Sequence, residues 1–254
     1  MKRIFLFLLT LLPLWAFAQN APKREFRGAW IQIINGQFQG MSRHQMQANL
    51  TNQLNVLQAC GVNTIIFQVR GEADALYESP YEPWSRFLTG KQGQPPSPYW
   101  DPLAWMVQEC HKRNMELHAW INPLRITVAK DAESKLPKNS PAVLHPEWTV
   151  KYADGKLYFN AGLPEVRELV AEGVREVVKK YDVDGVVFDD YFYPYPVDNA
   201  DFADGDAYAK YGFTNNNTEN NPINIDTNSN KETMDHFYWI NNVECTYQEE
   251  GYVS

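Results

Sequence analysis

The sequence predicts an α/β chain of the (β/α)8 TIM-barrel type, with about four βα units, followed by an irregular Asn-rich tail. Three observations predict it. Near-continuous apolar runs alternate with amphipathic stretches, the order expected of a parallel sheet with helices outside. Every long loop follows a strand, and the returns from helix to strand are short, at Gly61, Asn114 and Asp182. A (β/α) barrel has this asymmetry because its ligand-binding end is built from the loops after the strands. No Gly-rich phosphate turn follows the first strand, which leaves a doubly wound sheet as the runner-up.

The elements follow in order. "RGAWIQII" (27–34) reads as a first strand. Met46, Leu50, Leu54 and Leu57 recur at helical spacing on one face, up to Gly61. "VNTIIFQVR" (62–70) is apolar almost throughout, as expected of a strand covered on both faces. After a loop rich in Pro, Gly and aromatics, Asp101 caps a helix with Pro102 in its first turn and Leu103, Met106, Val107 and Cys110 inward. "MELHAWI" (115–121) is the third strand, and "WTVKYADGKLYFN" predicts a hairpin turning at Asp154-Gly155. Pro164 opens a helix with Val166, Leu169, Val170, Val174, Val177 and Val178 inward, and "VDGVVF" (183–188) is the fourth strand. From Thr214 onward Asn dominates and no period survives, so 214–254 reads as an irregular or disordered tail. "HFYWI" (236–240) is an apolar island within it.

The first residues carry a second message. Lys2 and Arg3 precede an apolar run from Ile4 to Phe17, with small residues at Ala16 and Ala18. This is the order of a secretory signal peptide, cut after Ala18, and the run is short for a span, which needs roughly 20 apolar residues. The expected location is periplasmic or extracellular, with no stable membrane insertion after cleavage. The formal net charge is −8, and losing Lys2 and Arg3 makes it more negative. An acidic exported chain is a poor partner for nucleic acid. The three cysteines, Cys60, Cys110 and Cys245, form no disulfide framework or metal spacing. Cys60 and Cys110 read as two small buried thiols, with a bridge between them as the alternative.

Candidate chemistry follows from the strand period, since alternate residues share a face. Trp30 and Gln32 share one on the first strand, Gln68, Arg70 and Glu72 on the second, and His118, Trp120 and Asn122 on the third. Asp189 and Asp190 arrive at the same level after the fourth. Polar groups repeated at that end are costly against packed helices and sensible around a wet pocket. Asp184 reads as a turn or cap residue. The loop aromatics Tyr77, Tyr81, Trp84, Tyr99 and Trp100 read either as packing or as sugar-stacking surfaces. Glycoside hydrolysis needs two carboxyl groups, one protonated and one ionised. Neighbouring aspartates on a strand diverge, so one of the pair acts while the other binds or orients. Asp189, Asp190 and His118 are acceptable metal ligands, but no HxH or HExxH spacing supports a metal site. No cofactor is expected.

"REFRGAWIQ", "GVNTIIFQVRGEADALYESPYEPWSRFLTG", "DPLAWMVQECHKRNMELHAWINPLR" and "DGVVFDDYFYPYP" together resemble the glycosyl hydrolase-like 10 family over roughly residues 24 to 213. The resemblance implies an exported TIM-barrel glycan hydrolase, with peptidoglycan strands a plausible substrate class. Carried over by motif, Asp189 and Asp190 are the expected catalytic residues. Arg27, Trp30, Gln68, Arg70, His118, Trp120 and Asn122 are the expected substrate-binding positions, together with Tyr191 and Tyr193 of the aromatic run. Two departures bear on it. "NAGLPEVRE" replaces an Asp-Pro-Gly-like turn, and the second half of the barrel is expected to be missing, replaced by the tail. A truncated hydrolase is therefore the leading expectation. A glycan-binding or inactive half-barrel is the alternative, and a metal-dependent hydrolase ranks below both.

Overall fold

The computed structural model describes residues 25–189 and 193–212. The signal segment, Asp190, Tyr191 and the Asn-rich tail lie outside the described residues.

Four parallel strands form one sheet in the order β1 (Gly28–Ile31), β2 (Thr64–Arg70), β3 (Glu116–Ile121) and β6 (Gly185–Phe188). Strand order follows chain order without reversal. That is the progression of a (β/α) barrel and not of a doubly wound sheet, which reverses at a switch point. Among the described residues the fold is thus a partial barrel of four strands, with β1 and β6 at the ends of the sheet.

Behind the sheet lie three helices, α1 (Arg43–Ala59), α3 (Pro102–His111) and α5 (Pro164–Lys180). Ser42 opens α1 with a capping box closed by Gln45, and Gly61 ends its return in the left-handed region at φ 83°. Asp101 caps α3 by accepting from the Ala104 N–H at 2.9 Å, as its sequence predicts. The buried stripes Met46/Leu50/Leu54, Leu103/Met106/Cys110 and Val174/Val177 pack on Ile31, Ile65, Phe67, Val69, Leu117, Ala119 and Ile121. Val178 departs from expectation. It is 57% exposed, because one step beyond Val177 the helix turns its next residue about 100° out of the stripe. Asp184 anchors the return into β6, accepting from the Leu117 N–H at 2.8 Å and lying 2.8 Å from the His111 ring.

The long excursions all follow strands. The one after β2 carries a short helix, α2 (Arg86–Thr89), and buries Tyr77, Trp84 and Trp100 in the core. These three are therefore packing and not sugar platforms, whereas Tyr99 is exposed. The excursion after β3 carries a one-turn helix, α4 (Pro141–Leu144), and an antiparallel hairpin of β4 (Thr149–Lys151) and β5 (Leu157–Phe159). Gly155 takes φ 80° in the hairpin turn. The hairpin closes a second cluster of Leu124, Ile126, Leu157, Phe159 and Val166. The short α6 (Gly205–Tyr211) follows the excursion after β6.

Cys110 is buried and Cys60 exposed, and both are free. The pairing alternative fails. Cys60 caps the end of α1, beyond its last buried residue, which is why it is not the buried thiol expected. Among the described residues no helix is long and apolar enough to cross a membrane.

Candidate active site

The register fixes which side chains share the barrel-side face. Trp30, Ile66, His118 and Gly185 stand level across the four strands, and Gln68, Trp120 and Val187 form the next level up. Asp189 follows β6 at the top of this face. Asn122, just beyond β3, donates from Nδ2 to the Asp189 carboxylate at 3.3 Å. The Trp120 indole lies close enough to favour the charged carboxylate, yet its buried Nε1 has no partner in hydrogen-bond geometry among the described residues. Trp30 meets Trp120 edge to face at 4.8 Å and is 53% exposed, an aromatic surface on the same face of the sheet. Burial pushes the Asp189 carboxyl above its ordinary range, opposed first by the Arg125 charge and then by Trp120 and Asn122.

Arg125 was not among the residues expected here. Its backbone N–H donates to Asn122 Oδ1 at 2.9 Å and its Nε to the Gly71 carbonyl at 3.0 Å. The loop after β3 is thereby tied to the loop after β2. Its Nη2 is buried without a partner among the described residues. Desolvation lowers its affinity for its proton, and Asp189, Glu72, Tyr158 and Asp74 oppose that. The signal in the sequence was a charge four residues past an apolar strand, in "NPLR", off the strand period and therefore outside the face comparison.

Two carboxylates from the loop after β2 complete the surroundings. Glu72, one of the residues expected to share a face with Gln68, is buried and held by Arg86 and the Val128 N–H. Asp74 is wholly buried and accepts from the backbone N–H groups of Gly71 and Glu72 at 3.4 and 3.1 Å. Burial, and then the Glu72 charge, raise its carboxyl.

Several expected residues stand elsewhere. Arg70 does not share the face of Gln68. The pairing of β2 with β3 slips between Gln68 and Arg70, so Gln68 faces Trp120 while Arg70 faces Ile121. One extra residue inverts every side chain after it. Arg70 therefore points behind the sheet, donating to Tyr77 at 2.7 Å and pairing with Glu176 of α5 at 2.9 Å. Glu82 lies 3.2 Å from its Nη1 without hydrogen-bond geometry. Gln68 is on the expected face, but its Oε1 accepts from the Ile33 and Ile34 N–H groups at 3.0 and 3.3 Å, clasping the end of β1. Arg27 lies at the opposite end of the sheet, since it precedes β1, and bonds the Gly61 carbonyl and Glu25. His118 lies one level below Trp120, beside Glu116 at 3.2 Å and Phe26. Tyr193 donates to Asp204 at 2.8 Å and packs on Phe202 at 4.9 Å. Its hydroxyl is spent within the loop after β6. Among the described residues no three His, Cys, Asp or Glu side chains converge as a metal site requires.

A family model described as Glycosyl hydrolase-like 10 matches residues 25–241. Glycosyl hydrolase YngK of Bacillus subtilis is 43% identical over 204 residues, 79% of this chain and 39% of that one. Glycosyl hydrolase DigH of Escherichia coli K12 is 38% identical over 179 residues, 67% of this chain and 40% of that one. The chain thus spans about two fifths of the length of these curated relatives. Among solved structures, a hypothetical protein from Ruminiclostridium thermocellum aligns with TM-score 0.45 at 14% identity, covering 72% of this chain and 87% of that one. The galactosidase domain of AgaSK aligns with TM-score 0.40 at 14% identity, covering 64% and 21%. With the family match spanning both the four strands and the residues around Asp189, the chain belongs to the glycosyl hydrolase-like 10 family.

Proposed function

We propose that this chain carries one half of a glycoside hydrolase active site acting on a polysaccharide, with Asp189 as a reacting carboxylate. One observation carries the proposal. A half-buried carboxyl stands at the C-terminal end of a barrel strand, bonded by Asn122 and close to Trp120, on which the exposed Trp30 indole packs. That position is where barrel enzymes hold their reacting groups. An exposed aromatic face on the same side of the sheet suits the apolar face of a sugar ring. Family membership supports glycosidic-bond hydrolysis as the reaction type. The basic and apolar order of residues 1–18 supports an exported setting, and with it an extracytoplasmic glycan such as peptidoglycan strands. Because neighbouring aspartates diverge, the partner carboxylate is a group beyond the four strands described, and Asp190 binds or orients.

The test is turnover of cell-wall glycan strands and a panel of polysaccharides by the full chain, with and without chelator. The expected result is cleavage indifferent to chelation and reduced at least about 100-fold in Asp189→Asn. Cleavage untouched by that substitution removes Asp189 from the chemistry. A second reading, a glycan-binding half-site, is favoured by the open Trp30 surface. It is selected by saturable binding without turnover, lost in Trp30→Ala.

A further inference from the structure

We propose that the groove between α1 and α3 is a second carbohydrate site, separate from Asp189, which takes a neutral oligosaccharide against Trp105 and the amide-bearing face of α1. This goes beyond the proposed hydrolase reading: the groove needs a glycan as ligand and not Asp189 as a reacting group.

The groove has a volume of about 510 Å³, within the range of small-molecule sites. On one side stand His44, Ala48, Thr51, Asn52 and Asn55 of α1, spaced so as to share one helix face. On the other stand Trp105 and Glu109 of α3, one turn apart. The Trp105 ring is partly buried and held edge to face on Trp100 at 6.3 Å. A solvated helix face ordinarily carries charges, which pair along the helix. α5 follows that rule, with Arg175 paired to Glu168 and Glu172. α1 does not. Seven of its 17 residues are Asn or Gln, and it has neither an acid nor a lysine. Asn and Thr are also poor helix formers, so Thr51, Asn52 and Asn55 give up propensity that alanine would supply. Nothing inside the protein offsets that loss at Thr51 or Asn52, whose side chains make no hydrogen bond among the described residues. Asn55 Oδ1 accepts from Arg113 Nε at 3.0 Å, which leaves its Nδ2 unspent. Glu109 is neutralised within α3 and its return by Lys112 and Arg113, each at 2.7 Å, and among the described residues no Lys or Arg lines the groove. A charged ligand therefore meets no unspent lysine, arginine or carboxylate. What remains is a set of amides and a hydroxyl, which both donate and accept, beside an indole. A sugar has the matching make-up: hydroxyls that donate and accept, on a ring with an apolar face.

The test reads the groove directly. The full chain, labelled with ¹⁵N, is titrated with the N-acetylglucosamine tetramer, with cellotetraose and with the charged tetragalacturonate. The indole N–H resonance of Trp105, assigned by its loss in Trp105→Phe, is followed by NMR. If Trp105→Phe does not fold, the Asn52 side-chain amide, assigned by its loss in Asn52→Ala, gives the same reading. A neutral tetramer is expected to shift the resonance saturably in wild type, Asp189→Asn and Trp30→Ala alike. Thr51→Ala and Asn52→Ala together are expected to weaken that binding about 10-fold. The thermal midpoint of the same variant is expected to stay or rise, since alanine is the better helix former at both positions. A role confined to folding would lower the midpoint and leave the affinity alone. The inference is overturned by the absence of a saturable shift with either neutral tetramer, or by a shift that the double variant leaves unaltered. It is equally overturned by a shift that vanishes in Trp30→Ala, which assigns the probe to the mouth, or by a preference for tetragalacturonate. Absence of glycan turnover with the Trp105 shift intact removes the hydrolase reading and leaves this site standing.

Discussion

Two arginines at the same end of the sheet have opposite fates. Arg70, behind the sheet, is 3% exposed and held by hydrogen bonds to Tyr77, Glu176 and Ser79 and by the Glu82 charge, and Lys180 extends the network through Glu176 at 2.7 Å. Arg125, at the mouth, has one side-chain bond and a buried Nη2 without a partner among the described residues. The same side chain is structural where the fold uses up its donors. It remains available for chemistry where the fold leaves one unspent.

The comparison can be broken from the largest effect downward. Arg70→Met strands Glu82 and Glu176 without their counter-charge, and is expected to cost about 3 to 5 kcal/mol in urea unfolding. Next comes the pH dependence of that network. Burial pushes Glu82 up to about 7 from an ordinary 4.5, against the pull of Arg70. Between those values the folded chain keeps a proton that the unfolded chain has released. The associated stability is therefore full below about pH 4.5 and lost as pH rises through about 7. Unfolding measured across that window is expected to lose up to about 3 kcal/mol, and Glu82→Gln to flatten the slope.

Gly173→Ala sets two effects against each other. Alanine gains about 1 kcal/mol of helix propensity over glycine. A Cβ there would fall 2.1 Å from Arg70 Nη1, and Arg70 is pinned by its network. Overpacking wins, and a net loss of about 1 to 2 kcal/mol is expected in thermal unfolding. Trp30→Ala should change stability by no more than about 0.5 kcal/mol, because the ring is largely exposed. Its effect belongs in glycan affinity, measured by calorimetry. Stability loss at Trp30 with unchanged affinity would erase the distinction between the two regions.

Much of the fold was legible. The order of strands, the caps at Asp101 and Gly61, the hairpin at Asp154-Gly155 and the position of Asp189 all follow from local rules. Apolar period, capping chemistry and turn residues act within a few positions of themselves. The candidate site was legible in part. Trp30, Trp120, Asn122 and Asp189 come together because strict alternation holds on β1 and β3. It fails on β2, where the register slip inverts Arg70, and says nothing of Arg27, which precedes its strand, or of Arg125, which lies past one.

What the sequence determined by itself is the partial barrel and the level at which its polar residues end, since periodicity and capping are local properties of the chain. Only the tertiary structure decided which charges are spent. Arg70 meets Glu176 across 106 residues of chain, in space left free by Gly173. Arg125 reaches the Gly71 carbonyl across two neighbouring loops. Pairing over such separations depends on packing, and packing is not written in any one segment.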